Sequence, residues 1–300
     1  MPENNLKNEY KFEAIGTGWS IDTKDPLTDV VKSRLHKRIE LFDKTYSRFR
    51  RDSLVASIAS STYGGQFTFP DDSLPLFDLY DMLHKLTDGR VDPLIGAELK
   101  LLGYDSQYSL QTDPSAAYFN PDKQVLDWTS DINRQESIIT TDRPLTIDVG
   151  AAGKGYLVDI ISEILIDESI TDYIVDGSGD IRNAGDSDII IGLEHPTNRE
   201  MVIGTVLLKN QAICASATNR RKWGNGLHHV LDGRTGHPVQ DVIATWAIAE
   251  TALLADGLAT ALFFVSAEKL KEQFHFSSVM VFSDMRVEVT DNFDGTLFTK

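Results

Sequence analysis

Asp256 and Thr260 stand four residues apart in Ala255-Asp-Gly-Leu-Ala-Thr260, a spacing that puts both oxygen-bearing side chains on one face of a helix. Hard oxygen ligands, only one of them charged, suit magnesium, which keeps waters and takes further ligands from a substrate's phosphates. A plainer alternative has Thr260 bonding back to its own helix and Asp256 solvated. Phosphate chemistry is also suggested by two glycine-rich turns, Asp148-Val-Gly-Ala-Ala-Gly-Lys-Gly155 and Asp176-Gly-Ser-Gly-Asp180. The first follows the extended apolar run Leu145-Thr-Ile-Asp-Val149 and opens into a segment where Leu157, Ile160, Ile161 and Ile164 recur at helical spacing. Backbone N–H groups at a helix N-terminus favour an anion there, and Lys154 adds a positive charge. Neither familiar phosphate motif fits, because Lys154 is followed by Gly155 rather than Ser or Thr, and the glycines do not fall in the G-x-G-x-x-G register. A tight strand-to-helix connection is therefore the competing role for this turn. The second turn is not an EF-hand: Ile181 stands where glycine is needed and Ser187 where glutamate is needed.

Composition narrows the partners. Across 300 residues there are 45 acidic against 29 basic side chains, a formal charge of −16, which argues against nucleic acid and against an anionic membrane surface. A protein this acidic must compensate an anionic cofactor locally, with a divalent cation, a lysine or a helix N-terminus. With 41% hydrophobic residues the chain can build a core, and Cys214 is its only cysteine, so no internal disulfide forms. Cys214 reads as a small buried hydrophobe in a strand. The first ten residues carry neither a basic segment nor an apolar one, which leads to the expectation of a cytoplasmic protein with a flexible N-terminus over 1–10 and one domain over 11–300.

The elements that must position these residues follow from pattern. A strand is expected over Lys11–Ile21, then Asp25-Pro26 as a helix start, with Val31, Leu35, Ile39, Phe42, Tyr46 and Phe49 along one helical face. A second helix is expected over Ser73–Thr87, and an irregular polar segment from Gly103 to Asn133. Strands follow at 188–193, 202–208, 211–215 and 242–249, helices at 250–265 and 269–274, and a closing hairpin pairs 278–282 with 286–289. The fold class expected is α+β, a single domain of mainly antiparallel sheet with flanking helices.

Five segments, in order, resemble the FAD:protein FMN transferases, the flavin transferases often labelled ApbE-type. They are Ile15-Gly-Thr17, Gly89-Arg-Val-Asp-Pro93, Asp148 to Asp159, His229-Val-Leu-Asp-Gly-Arg-Thr-Gly-His-Pro238 and Ala255 to Thr260. The resemblance covers most of the chain and implies an ApbE-like fold. It also implies Mg²⁺ held by Asp256, Thr260 and the backbone carbonyl of Ala151. For FAD it implies contacts from Ile15, Phe49, Arg90, Val91, Asp92, Asp148, Lys154 and Leu231. His229 matches a histidine near the cofactor phosphates, a general base or charge stabiliser, although its neighbour His228 is separated from that role only by register. Four departures stand out: Arg90 and Val91 in the cofactor segment, Gly233 for a proline, Ala215-Ser-Ala217 for T-S-G, and Ser178 for a glycine. With Asp256, Lys154 and His229 as its catalytic residues, the function implied is Mg²⁺-dependent transfer of FMN from FAD to a threonine or serine of a target protein, a reductase, releasing AMP. Hydrolysis of FAD to FMN and AMP, and non-catalytic FAD binding, are the alternatives; no nucleic acid or membrane partner is expected.

Overall fold

The computed structural model describes residues 6–120, 122–219, 222–224 and 226–298. They form two compact units, one from Met1–Ile39, Ala152–Asn219 and Asp241–Lys300, the other from Glu40–Ala151 and Arg220–Gln240.

The first unit is built on an eight-stranded sheet whose spatial order follows the chain: Asn8–Ala14, Thr17–Thr23, Tyr173–Asp176, Ile181–Ala184, Ala212–Ala217, Val242–Ala249, Ser277–Phe282 and Val287–Val289. Every neighbouring pair is antiparallel. Side chains alternate between its faces. On one face Ile213, Trp246, Ile248, Val279 and Val281 meet Leu193, Val206 and Leu208 from a separate three-stranded ribbon of Ile189–His195, Asn198–Leu208 and Gly295–Leu297. On the other face lie Cys214 and Thr245, whose side chains bond to the Ala252 and Ala259 carbonyls of the helix Ala252–Ala261. That helix also packs on Gly153–Asp167, which rests against Tyr173–Asp176 and Ile181–Ala184.

The α+β class and the antiparallel sheet are as expected, and the differences have local causes. The strand expected over 11–21 is a hairpin: Ile15 and Gly16 take φ of 44° and 77° and turn the chain, giving Phe12 opposite Trp19. Its first strand begins at Asn8, inside the segment expected to be flexible. The first long helix spans Asp29–Tyr46 rather than starting at Pro26, because the Thr28 hydroxyl accepts from Val31 N–H and caps it there. Thr251 and Ser266 likewise cap the helices Ala252–Ala261 and Ala267–Lys271, both shorter than the apolar pattern suggests.

In the second unit the helices Leu54–Ala59, Leu74–Leu86 and Gly96–Leu101 accompany a small antiparallel sheet of Gly65–Thr68, Ile138–Thr141 and Asn133–Gln135. Phe77 meets Phe69 edge-to-face and Trp128 at a tilt, and all three rings are buried. The polar segment after Gly103 is irregular as expected, yet pinned by Trp128: its backbone N–H donates to Asp92 Oδ2 (2.8 Å) and its indole N–H to Asp81 (2.6 Å). No helix among the described residues is long and apolar enough to cross a membrane.

Candidate active site

Two carboxylates and one ammonium gather in the first unit. Asp256 is 6% exposed and its Oδ2 accepts the backbone N–H of Gly155 at 2.9 Å, so the helix Ala252–Ala261 is tied directly to the N-terminal turn of Gly153–Asp167. This approach depends on the missing side chain at 155: a Cβ there would lie 2.1 Å from the Ala252 carbonyl oxygen and 2.7 Å from Asp256 Cβ. Glycine at this position is thus a packing requirement between two helices as well as part of a turn. Lys154, on the adjoining residue, reaches Asp180 Oδ2 at 3.1 Å and the Ser178 carbonyl at 3.3 Å. Asp180 is completely buried.

The electrostatics of the cluster are unbalanced. Burial pushes the Asp256 carboxyl well above the usual range and Asp180 adds repulsion, with Lys154 and the Gly155 N–H opposing. Burial likewise raises Asp180 against the pull of Lys154. Burial draws the Lys154 ammonium down, but the two carboxylates outweigh it and hold its pKa above the ordinary lysine value. One ammonium faces two buried acids, an imbalance that a proton on one of them or an additional cation would relieve. Asp256 and Thr260 project from the same helix at (i, i+4) spacing, and Ala151 lies immediately before Ala152, the N-cap of Gly153–Asp167. The oxygen-bearing side chains of Asp256 and Thr260 are of the kind that suits magnesium. The start of Ala252–Ala261 is further secured by Asp159, whose two carboxylate oxygens accept from Ala252 and Leu253 N–H at 2.9 and 2.7 Å. Ile15 turns the first hairpin of this unit at a positive φ that β-branched residues rarely adopt.

In the second unit the Gly89–Asp92 segment meets the Asp232–Gly236 turn. Gly233 N–H donates to the Arg90 carbonyl (2.8 Å), and a Cβ at 233 would sit 2.5 Å from the Gly89 carbonyl oxygen. Proline could neither donate this bond nor approach so closely, which accounts for the glycine in this chain. Arg90 stands 3.7 Å from Asp232, Val91 is buried, and Leu231 packs with Leu99, Leu102, Tyr104 and Trp223. Both oxygens of Asp92 are engaged. Oδ1 accepts from Leu94 N–H (2.7 Å), while Oδ2 accepts from Trp128 N–H and lies 3.4 Å from His84 Nε2, which also reaches Asp127 at 3.0 Å.

Asp148 accepts from Gly150 N–H (2.6 Å) and pairs with Arg48, whose guanidinium also donates to the Tyr104 carbonyl and lies 4.3 Å from the Phe49 ring centre. Phe49 stacks on Tyr108 at 5.6 Å. The two neighbouring histidines separate cleanly. His228 is buried, its Nε2 2.8 Å from the Val239 carbonyl and its Nδ1 accepting from Val230 N–H; burial lowers its pKa, and it serves the hairpin. His229 is half-buried on the next residue. Asp180, Arg48 and His84 carry much of this architecture and were not singled out as site residues. Asp180 alone had a local signal, closing a glycine turn; the other two become legible only when Asp148 and Asp92 are seen as their partners.

The chain is thus an α+β protein with an antiparallel sheet, two buried acids and a lysine gathered at a helix N-terminus. It belongs to the ApbE family, whose model matches residues 15–280. The FAD:protein FMN transferase of Buchnera aphidicola is 25% identical over 281 residues, covering 88% of this chain and 81% of the relative. That of Escherichia coli K12 is 24% identical over 278 residues, covering 87% and 79%. Among solved structures, the flavin transferase ApbE from Vibrio cholerae superposes with a TM-score of 0.81 at 20% identity, over 95% of this chain and 98% of that one. At that identity the likeness speaks for the fold.

Proposed function

We propose that this protein transfers the FMN half of FAD to a threonine or serine hydroxyl of an acceptor protein, with Mg²⁺, and releases AMP. The observation that carries this is the Lys154–Asp180–Asp256 cluster at a helix N-terminus in a chain of the ApbE family. Relatives named FAD:protein FMN transferase supply the reaction class.

In this reaction the acceptor hydroxyl oxygen attacks the phosphorus on the riboflavin side of the pyrophosphate, and the bond to the bridging oxygen breaks. AMP departs with that oxygen, and the hydroxyl proton is lost. Asp256, Thr260 and the Ala151 carbonyl would hold Mg²⁺, which when bound would offset charge on the pyrophosphate and the departing AMP. Lys154 binds the pyrophosphate from the start of Gly153–Asp167, where backbone N–H groups add to its charge. His229 accepts the hydroxyl proton. Asp148, fixed by Arg48 and Gly150, orients FAD, together with Ile15, Phe49, Leu231 and the Arg90–Asp92 segment.

The experiment is release of AMP from FAD by the purified protein, with and without EDTA, beside Asp256→Ala. Metal-dependent release that Asp256→Ala abolishes is the expected result. Undiminished turnover of that variant would defeat the metal assignment, and no release from the wild type with metal present would contradict the enzyme reading.

A further inference from the structure

Of the three charged groups at the start of Gly153–Asp167, Lys154 and Asp256 have parts in the proposed reaction and Asp180 has none. Yet Asp180 is the most deeply placed, with no exposed surface at all. Ser178 and Gly179 take φ of 61° and 99°, Gly179 N–H donates to Asp176 Oδ1 (2.8 Å), and Gly177 N–H donates to the Asp180 carbonyl (2.8 Å). A serine in the left-handed region is an uncommon and strained placement. The outcome is a pair of acceptors aimed at one donor: the Asp180 carboxylate 3.1 Å and the Ser178 carbonyl 3.3 Å from Lys154 Nζ.

An ammonium has three N–H donors. The ion pair with Asp180 and the hydrogen bond to the Ser178 carbonyl hold the head against the turn. A lysine head on its flexible stem loses rotamer freedom when a ligand fixes it, and that loss weakens binding unless the head is already fixed. We propose that Asp180 is a positioning residue: it clamps the Lys154 ammonium at the helix N-terminus, so that Lys154 meets the FAD pyrophosphate as a preorganised donor. This rests on the FAD reading above. It also explains why a carboxylate that cancels part of the lysine's charge stands in a site for an anion: placement outweighs the charge given up.

A double-mutant cycle on FAD affinity tests this, with flavin fluorescence titrations in EDTA so that no turnover occurs. The proteins are wild type, Asp180→Asn, Lys154→Met and the double variant, each with its melting temperature. Each single change weakens FAD binding about tenfold, the effect of one charge-assisted hydrogen bond, and the double variant binds no more weakly than Lys154→Met alone. Losses that multiply would make Asp180 a structural residue acting independently of Lys154. FAD affinity unchanged or tighter in Asp180→Asn would show the carboxylate to be dispensable or a brake, and either overturns the proposal. Should the Asn variant not fold, Asp180→Ser, smaller and still polar, completes the same cycle. Weak binding in Lys154→Met with normal binding in Asp180→Asn sinks this inference alone, whereas a wild type that does not bind FAD sinks the functional reading with it.

Discussion

Gly155→Ala is the smallest change that tests how the carboxylate cluster is assembled. The added methyl would lie 2.1 Å from the Ala252 carbonyl oxygen, 2.6 Å from its carbon and 2.7 Å from Asp256 Cβ. Carbon–oxygen contacts settle at about 3.3–3.6 Å, so Gly153–Asp167 and Ala252–Ala261 must part by roughly 1 Å at this point. Backbone cannot step aside as the end of a long side chain would. Overpacking of this kind costs about 1–3 kcal/mol, against which alanine's better helix propensity returns up to about 1 kcal/mol. The net is a loss of up to about 3 kcal/mol, and the melting midpoint should fall by about 2–4 °C for each kcal/mol lost. The same displacement lengthens the 2.9 Å bond from Gly155 N–H to Asp256, so the magnesium concentration for half-maximal AMP release should rise. Calorimetry and a magnesium activation curve read the two effects. If Gly155→Ala melts with the wild type and has the same activation curve, the close helix approach does not set the site and the reasoning is wrong.

Three further outcomes follow from the buried titratable groups. Bonding to Asp92, together with the charge of Asp127, raises the His84 pKa against the opposing effect of burial. Its contribution to stability is therefore complete below about pH 6.5 and is lost as pH rises through the higher folded value. Urea unfolding at several pH values should show wild type losing its advantage over His84→Gln across that window, and a constant difference would refute the pairing. Burial pushes Asp159 up to about 6, with the Leu253 and Ala252 N–H groups opposing. The folded state therefore holds the proton more tightly, and wild-type stability falls between about pH 4 and pH 6, by at most about 3 kcal/mol and less for a partly exposed side chain. Asp159→Asn should gain on the wild type across that interval, and a parallel pair of stability curves would contradict it. Burial also raises the Cys214 thiol well above its ordinary value, so a thiol reagent should label it only on unfolding; rapid labelling of native protein would place it elsewhere.

What the sequence makes legible is what depends on local spacing. The (i, i+4) pair Asp256 and Thr260, and the helix beginning beside Lys154, need only helical periodicity to be seen. Asp180 is harder, because its meaning lies in an approach to Lys154 across 26 residues of chain that no local pattern encodes. Gly155 was readable as a turn residue, but its packing against Ala252 requires knowing which two helices touch. Ile15 looked like mid-strand because its neighbours alternate; the Gly16 beside it turns the chain instead. Gly233 looked like a loosened turn, and only the Arg90 carbonyl and the close Gly89 backbone show what glycine permits there. Asp92 looked like a ligand-facing residue, yet the structure gives both its oxygens protein partners.

The most direct test of the central claim is the intact mass of a threonine-bearing flavin-acceptor domain after incubation with this protein, FAD and Mg²⁺, with AMP measured in the same tube. One FMN added per acceptor, AMP in equal amount, and neither product in EDTA are the predicted results. AMP formed beside an unmodified acceptor, or no AMP at all, would contradict FMN transfer.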